Sequence, residues 1–481
     1  MKELVERGLD FAQRKGAQYA DVRVQRQESQ SVAVKNGTVE QVALGEDAGF
    51  GVRVLVDGAW GFASSYRLNA REVEEVTDQA VRIAKASARV HQRPVILGEP
   101  VRSRGTYKTP VEIDPFAVPL EEKIALLLAA DAEMRRHTQV TVATGQIVCI
   151  RDVKTFASTE GAYTEQEIVQ TGSGIAATAR GEGEVQRRSY PSGGGRNQTC
   201  AGWESVLEWD FAGNAYRVGE EAVQLLSAKQ CPPGVTTLII EGSQLALQVH
   251  ESCGHPIELD RVFGTEAAYA GTSFLTPDKL GEFTYGSELV NINADATMAT
   301  GLGTFGWDDE GVPAQNVDIV KNGRFVGYLT DRESASKLGL PRSMGAGRAS
   351  GWNRIPLVRM TNVSLQPGTW KFEDLIADTD EGIYVATNRS WSIDDRRLNF
   401  QFGTEMAYEI KNGKRGALLK NATYTGLTPE FWRSCDAICG EQDWYPWGTP
   451  NCGKGQPSQT MHTGHGAAPA RFRNVRVGVA K

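Results

Sequence analysis

The chain is poor in the features that assign many proteins to a class at once. It has no long apolar run; the most apolar stretch, 124–130, is far too short to span a bilayer, so no membrane partner is expected. The opening residues, Met1-Lys2-Glu3-Leu4-Val5-Glu6-Arg7, are charged and amphipathic and lack the apolar centre of a signal peptide. There is no excess of positive charge: 52 Lys and Arg stand against 59 Asp and Glu, a net of −7. That balance argues against a nucleic-acid groove spanning the protein, and no direct nucleic-acid binding is expected. The seven cysteines are odd in number and show no framework spacing, which favours a reducing, cytoplasmic setting over a disulfide scaffold. The 481 residues are enough for about three domains.

What is present concentrates in His250-Glu251-Ser252-Cys253-Gly254-His255, two imidazoles and a carboxylate within six residues. The familiar H-E-x-x-H zinc pattern places its histidines four apart on one helix face. Here they are five apart, and on an ideal helix five residues turn through roughly 140° beyond a full circle. A regular helix therefore cannot aim both rings at one ion. The expectation is that His250 and Glu251 end the helix, that Gly254 and Pro256 bend the chain, and that His255 swings back from the loop. Cys253 could compete as a ligand, but a buried inert thiol is the commoner fate of a free cysteine. Catalytic zinc usually keeps three protein ligands and an open position, and Cys452 in the tail is a candidate third.

These residues resemble a known family. The pattern His-Glu-x-x-x-His, then Glu258 and Asp260, then a distant Cys452-Gly453-Lys454, is similar to the TldD side of the TldD/TldE (PmbA) metallopeptidases. Further similar stretches are Asp308-Asp309-Glu310-Gly311-Val312-Pro313, Arg359-Met360-Thr361-Asn362 and Phe402-Gly403-Thr404-Glu405. The resemblance implies one Zn²⁺ held by His250, His255 and Cys452, with Glu251 activating water. It also implies a peptidase of short or unfolded peptides, working as a dimer with a TldE-like paralogue or with itself. Pro256 departs from the small residue, often glycine, expected there. The alternative from another class is a non-enzymatic, partner-binding regulatory protein with a structural zinc site.

Other candidates surround this centre. Glu258 and Asp260 could orient the ligand histidines through their free ring nitrogens. His465 could support the site or touch substrate, and Arg348 could bind a substrate carboxylate. Gly345-Ala346-Gly347-Arg348 lacks the Gly-Lys-Ser/Thr of a phosphate loop. Cys435, Cys439, Cys452, His462 and His465 could form a separate tail zinc site. Asp308-Asp309-Glu310 lacks the ligand alternation of a calcium loop and reads as a turn.

The fold class predicted is α+β: two helix-plus-antiparallel-meander regions, then a mainly β C-terminal domain carrying the metal-site helix. The boundaries expected are 1–90, a linker 91–118, 119–230, and 231–481. Helices are expected at 3–15, at 120–134 and at 215–228, and one is expected to open at a capping-box variant of Asn69 and Glu72 with Val73, Val76, Ala80 and Ile83 inward. Strands are expected at 140–150, 155–159, 163–170 and 174–179, with Gly161 and Gly172 at turns. Asn36-Gly37, Asp57-Gly58, Asn322-Gly323 and Asn412-Gly413 signal hairpins. The motif helix is expected to be capped by Ser243, short helices to lie at 332–338 and 372–376, and Phe472, Val475, Val477 and Val479 to alternate in a closing strand. The Gly-, Thr- and Ser-rich stretch 264–303 reads either as a mobile flap over the site or as a surface loop.

Overall fold

A computed structural model describes residues 1–90, 93–181 and 183–478. Val479 lies outside the described residues; the closing strand runs Ala470–Val477. The chain opens with α1 (Lys2–Arg14), which buries Val5, Leu9 and Ala12. Then come β1 (Tyr19–Lys35), β2 (Thr38–Val56), β3 (Ala59–Ser65) and α2 (Ala70–Ala88). The turns at Asn36-Gly37 and Asp57-Gly58 have positive φ at both residues, as two-residue hairpins require.

The Asn69 side chain caps α2 by accepting from the Glu72 N–H, but Glu72 does not reciprocate; its carboxylate accepts from the Ser65 hydroxyl. Ile83 is exposed rather than inward, because the buried stripe continues through Val81 and Ala84.

The plan then repeats: β4 (Arg104–Lys108), α3 (Leu120–Met134), β5 (Val140–Ser158), β6 (Tyr163–Gly181), β7 (Glu184–Tyr190) and a helix at Phe211–Ser227. Where four short strands are expected, two long ones form. Gly172 sits inside β6 rather than at a turn; a Cβ there would lie 3.0 Å from Gln198, so the glycine admits the neighbouring strand Asn197–Thr199. Within the expected linker, β4 pairs in parallel with β6. The two meanders share one sheet, ordered β3-β2-β1-β5-β6-β4, because β1 and β5 pair side by side over their length.

The remaining chain is built on a closed ring of five strands, Glu381–Ile393, Gly234–Ile240, Ala470–Val477, Thr423–Leu427 and Asn399–Lys411. Gly234–Ile240 is apolar at its inner end and leads directly into the motif helix, Gly242–Val249. A separate hairpin, Tyr445–Lys454 with Gln459–Ala467, packs across that helix. Helices at Arg332–Lys337 and Phe372–Ala377 and the turns at Asn322 and Asn412 stand where expected.

Asp308-Asp309-Glu310 joins the two halves. Asp308 accepts from the backbone N–H groups of Glu310, Val312 and Gly347. Asp309 faces Lys154 at 3.3 Å, and Glu310 accepts from Arg53 at 2.9 Å; Arg53 also pairs with Asp21 at 2.7 Å. The Arg53, Asp21 and Glu310 side chains are each less than a tenth exposed. Removing one member of such a set strands the others in a low-dielectric interior. Arg53→Met is therefore expected to cost about 3–5 kcal/mol, read as a lowered denaturation midpoint. A loss under about 1 kcal/mol would show the network to be hydrated and replaceable.

Candidate metal centre

The motif helix is capped not by Ser243 but by Glu241, whose carboxylate accepts the N–H groups of Ser243 and Gln244. Beyond Val249 the chain does not leave the helix. It widens into one π turn over His250–Gly254, closed by a bond from the His255 N–H to the His250 carbonyl, and tightens into a 3₁₀ turn at His255–Ile257. An i→i+5 bond makes five the natural spacing of neighbours on one face. The spacing that excludes a regular α-helix is thus met by a change of helix type, and His255 keeps right-handed helical angles although Pro256 follows it. Gly254 is also helical; its role is room, since a Cβ there would lie 2.2 Å from the Met360 sulfur.

On that face the two imidazoles lie with ring centres 4.8 Å apart, and Cys452 arrives from the tail hairpin with its sulfur 3.7 Å from His255 Nε2. The three candidate ligand atoms fall within 4.8 Å of one another, all buried, and form the one such His/Cys/Asp/Glu group among the described residues. The chemistry of this donor set suits zinc. Tetrahedral bonds of about 2.05 Å to nitrogen and 2.3 Å to sulfur put the two donor atoms about 3.6 Å apart.

Hydrogen bonding fixes which ring nitrogens are available. His465 Nδ1 lies 2.9 Å from the Val363 carbonyl, which can only accept, so His465 Nε2 carries the lone pair. His250 Nδ1, 2.7 Å away, must then donate to it, leaving His250 Nε2 as the free donor atom. His255 Nδ1 donates to Glu258 at 2.9 Å, which frees its Nε2 in the same way. Burial pushes the pKa of His250 down and those of His255 and His465 well down, keeping the rings neutral. Burial alone would raise the Cys452 thiol, but Arg359 and His255 outweigh it and hold it below its usual value.

The other sequence candidates divide. Glu258 holds His255, whereas Asp260 binds Lys454 at 2.6 Å. Arg348 is buried, and its Nη1 donates to the carbonyls of Met360 and His462, which ties it to the fold. Cys253 points into the core beside Tyr285, and burial pushes its thiol up to about 12. Cys435 and Cys439 belong to two different apolar clusters, and His462 bonds Gln170, so the tail residues do not assemble a site of their own.

Residues 264–303 are tied down: the Thr272 and Phe274 N–H groups donate to Asp395 and Arg396, and the Ser273 hydroxyl donates to the Pro256 carbonyl. They clasp the turn that carries a residue the sequence reading missed. Arg397 donates to Glu251 at 2.6 Å, from a backbone with φ of +64°. Asp394 accepts from the N–H groups of Arg396, Leu398 and Asn399, and Thr428 donates to the Arg397 carbonyl, so the turn is held from several sides. Arg359 is a second omission; it donates to the Cys452 carbonyl at 2.6 Å.

The description "PmbA/TldA metallopeptidase C-terminal domain" matches residues 233–478, the corresponding central domain matches 113–230, and domain 1 matches 20–84. The chain belongs to the PmbA/TldD metallopeptidase family. Among curated PmbA/TldD relatives, a metalloprotease of Methanocaldococcus jannaschii is 31% identical over 93% of this chain and 95% of its own length. One of Saccharolobus solfataricus named "Zinc metalloprotease TldD homolog" is 23% identical over 97% and 98%. The crystal structure of TldE from Thermococcus kodakarensis shares the fold, with a TM-score of 0.73 at 18% identity, covering 98% of this chain and 99% of that one. This member of the family is a metallopeptidase. Among the described residues no helix is long and apolar enough to cross a membrane.

Metal affinity checks the centre. Cys452→Ser should weaken zinc binding strongly, since a neutral hydroxyl replaces a thiolate, and His465→Leu should weaken it about 10–100-fold by releasing His250. Cys435→Ser and Cys439→Ser should leave it unchanged in the same chelator competition. Full affinity in Cys452→Ser with loss in either of the other two would identify a different cysteine as the ligand.

Proposed function

We propose that this metallopeptidase holds one zinc ion on His250, His255 and Cys452 and hydrolyses short or unfolded peptides, with Glu251 as general base. The observation that carries the reading is the position of Glu251: it stands beside the first histidine but outside the donor set, with its carboxylate fixed by Arg397. When bound, zinc supplies Lewis-acid polarisation of the carbonyl and lowers the pKa of attacking water. Glu251 accepts the proton of that water and returns it to the leaving amine.

Burial of His250, Glu251, His255 and Cys452, each at most 5% exposed, supports selection for chains that can thread in without their own tertiary structure. The tail strand offers a place for one. The hairpin Tyr445–Lys454 with Gln459–Ala467 forms a two-stranded sheet of its own, which supports binding of a peptide as an added strand. All seven cysteines are buried free thiols, which supports a reducing, cytoplasmic setting. We also assign it a partner of the same fold, a TldE-like chain or a second copy; the support is the likeness to TldE.

Glu251→Gln should keep its zinc yet lose at least about 100-fold in peptide hydrolysis. Near-normal turnover by the metal-loaded variant would remove Glu251 from the base role. A disulfide-locked small domain should resist cleavage and its reduced, unfolded form should be cut; equal rates on both would exclude confinement.

A further inference from the structure

A cavity of about 280 Å³ lies between the loop 192–196, the motif helix and the tail strand. Two of its wall residues are chain neighbours of the proposed reaction centre, whose own side chains do not line it. Leu247 in its wall stands four residues before Glu251, on the same helix face, and Asn451 in its wall is bonded to Cys452. The wall contains no Asp, Glu, Lys or His; its one charged residue is Arg196. Arg196 is half-buried, and among the described residues it has no ion-pair partner. Several buried arginines of the fold differ, although Arg348 also lacks a carboxylate and donates to carbonyls instead. Arg53, Arg188, Arg261 and Arg471, all buried, each meet a carboxylate within 3.0 Å.

We propose that this cavity is a subsite for a carboxylate of the peptide, bound by Arg196. The proposal rests on the peptidase reading and adds to it a class of substrate. A half-buried cation without a counter-ion gains when an anion shares its site, and a guanidinium matches a carboxylate through two parallel hydrogen bonds. The loop that presents Arg196 is fixed: its carbonyl accepts from the Ser192 hydroxyl, and Gln146 donates to the carbonyl of Gly195. Trp391, 51% exposed, and Trp447 flank the cavity and offer apolar faces to the residue that bears the carboxylate. Burial lowers the pKa of Arg196 with no carboxylate opposing it, in keeping with the missing partner.

The carboxylate can be a chain terminus or an acidic side chain, and two pairs of synthetic peptides separate these sources. One pair differs only in a free C-terminal acid against a C-terminal amide. The other differs only in Glu against Gln beside the cleaved bond. With the zinc-loaded wild type, the acidic member of one pair should be preferred in kcat/KM by about tenfold or more. That ratio should fall to near one in Arg196→Ala and be partly kept in Arg196→Lys. Calorimetric binding of the same peptides to zinc-loaded Glu251→Gln gives the ratio without turnover. A ratio near one for both pairs in the wild type, or a ratio that persists in Arg196→Ala, would overturn the subsite. Failure of the wild type to cut any peptide would sink the peptidase reading instead, and the binding ratio would still decide on Arg196. Melting temperature of the variants controls for folding.

Discussion

The ammonium of Lys454 is wholly buried, and the centre depends on where it is held. It lies 2.6 Å from Asp260 and 3.5 Å from Glu258, two carboxylates from the segment just after His255. An isolated buried charge costs several kcal/mol, so the tail strand has one low-energy register on the motif segment, the one that brings these charges together. Cys452, two residues before Lys454, is thereby set against His255. Arg359 seals the arrangement by binding the Cys452 carbonyl and facing Glu258 at 3.8 Å. Glu258 thus serves two ends of the same knot: one oxygen orients His255, the other faces the cations that locate the thiol.

A second constraint acts from the opposite side. The ring of five strands fixes the start of the motif helix, since Ile240 at the end of a barrel strand is followed directly by the Glu241 cap. The π turn then converts a five-residue spacing into a shared face. Neighbours hold the turn: Tyr285 donates to the Ser252 carbonyl, and Trp432 donates to the Ser252 hydroxyl. His250 is placed by the barrel and the turn, Cys452 by the ion knot, and the two meet at His255.

Much of this was legible in the sequence, and the parts that were not share a cause. The helix at Leu120–Met134 and the turns at Asn36, Asp57, Asn322 and Asn412 rest on local chemistry and stand where expected. The candidate ligands were legible because two fall within six residues and the third lies in a stretch that resembles a family. The π turn was not, because the choice between leaving a helix and widening it depends on what Tyr285 and Trp432 offer from afar. Gly172 and Gly254 read as conformational breaks, yet both serve close approach, by Gln198 and Met360, which only the tertiary structure shows. Arg397 lies 146 residues from Glu251 in a turn with no signature of its own. The burial of Arg348 and the bonds from its Nη1 to the Met360 and His462 carbonyls come from elements far along the chain and leave no trace in its own stretch.

The separation of 197 residues between His255 and Cys452 has a consequence in time. On a ribosome adding about 5–20 residues per second, the histidine pair exists for roughly 10–40 s before the cysteine is made. During that interval the donor set is incomplete, and Glu258 and Asp260 still lack Lys454. A nascent chain of this protein therefore carries only part of the His250, His255 and Cys452 cluster until late in synthesis. Chain order acts here as a delay, so that the His250, His255 and Cys452 cluster is completed only after most of the chain has been made.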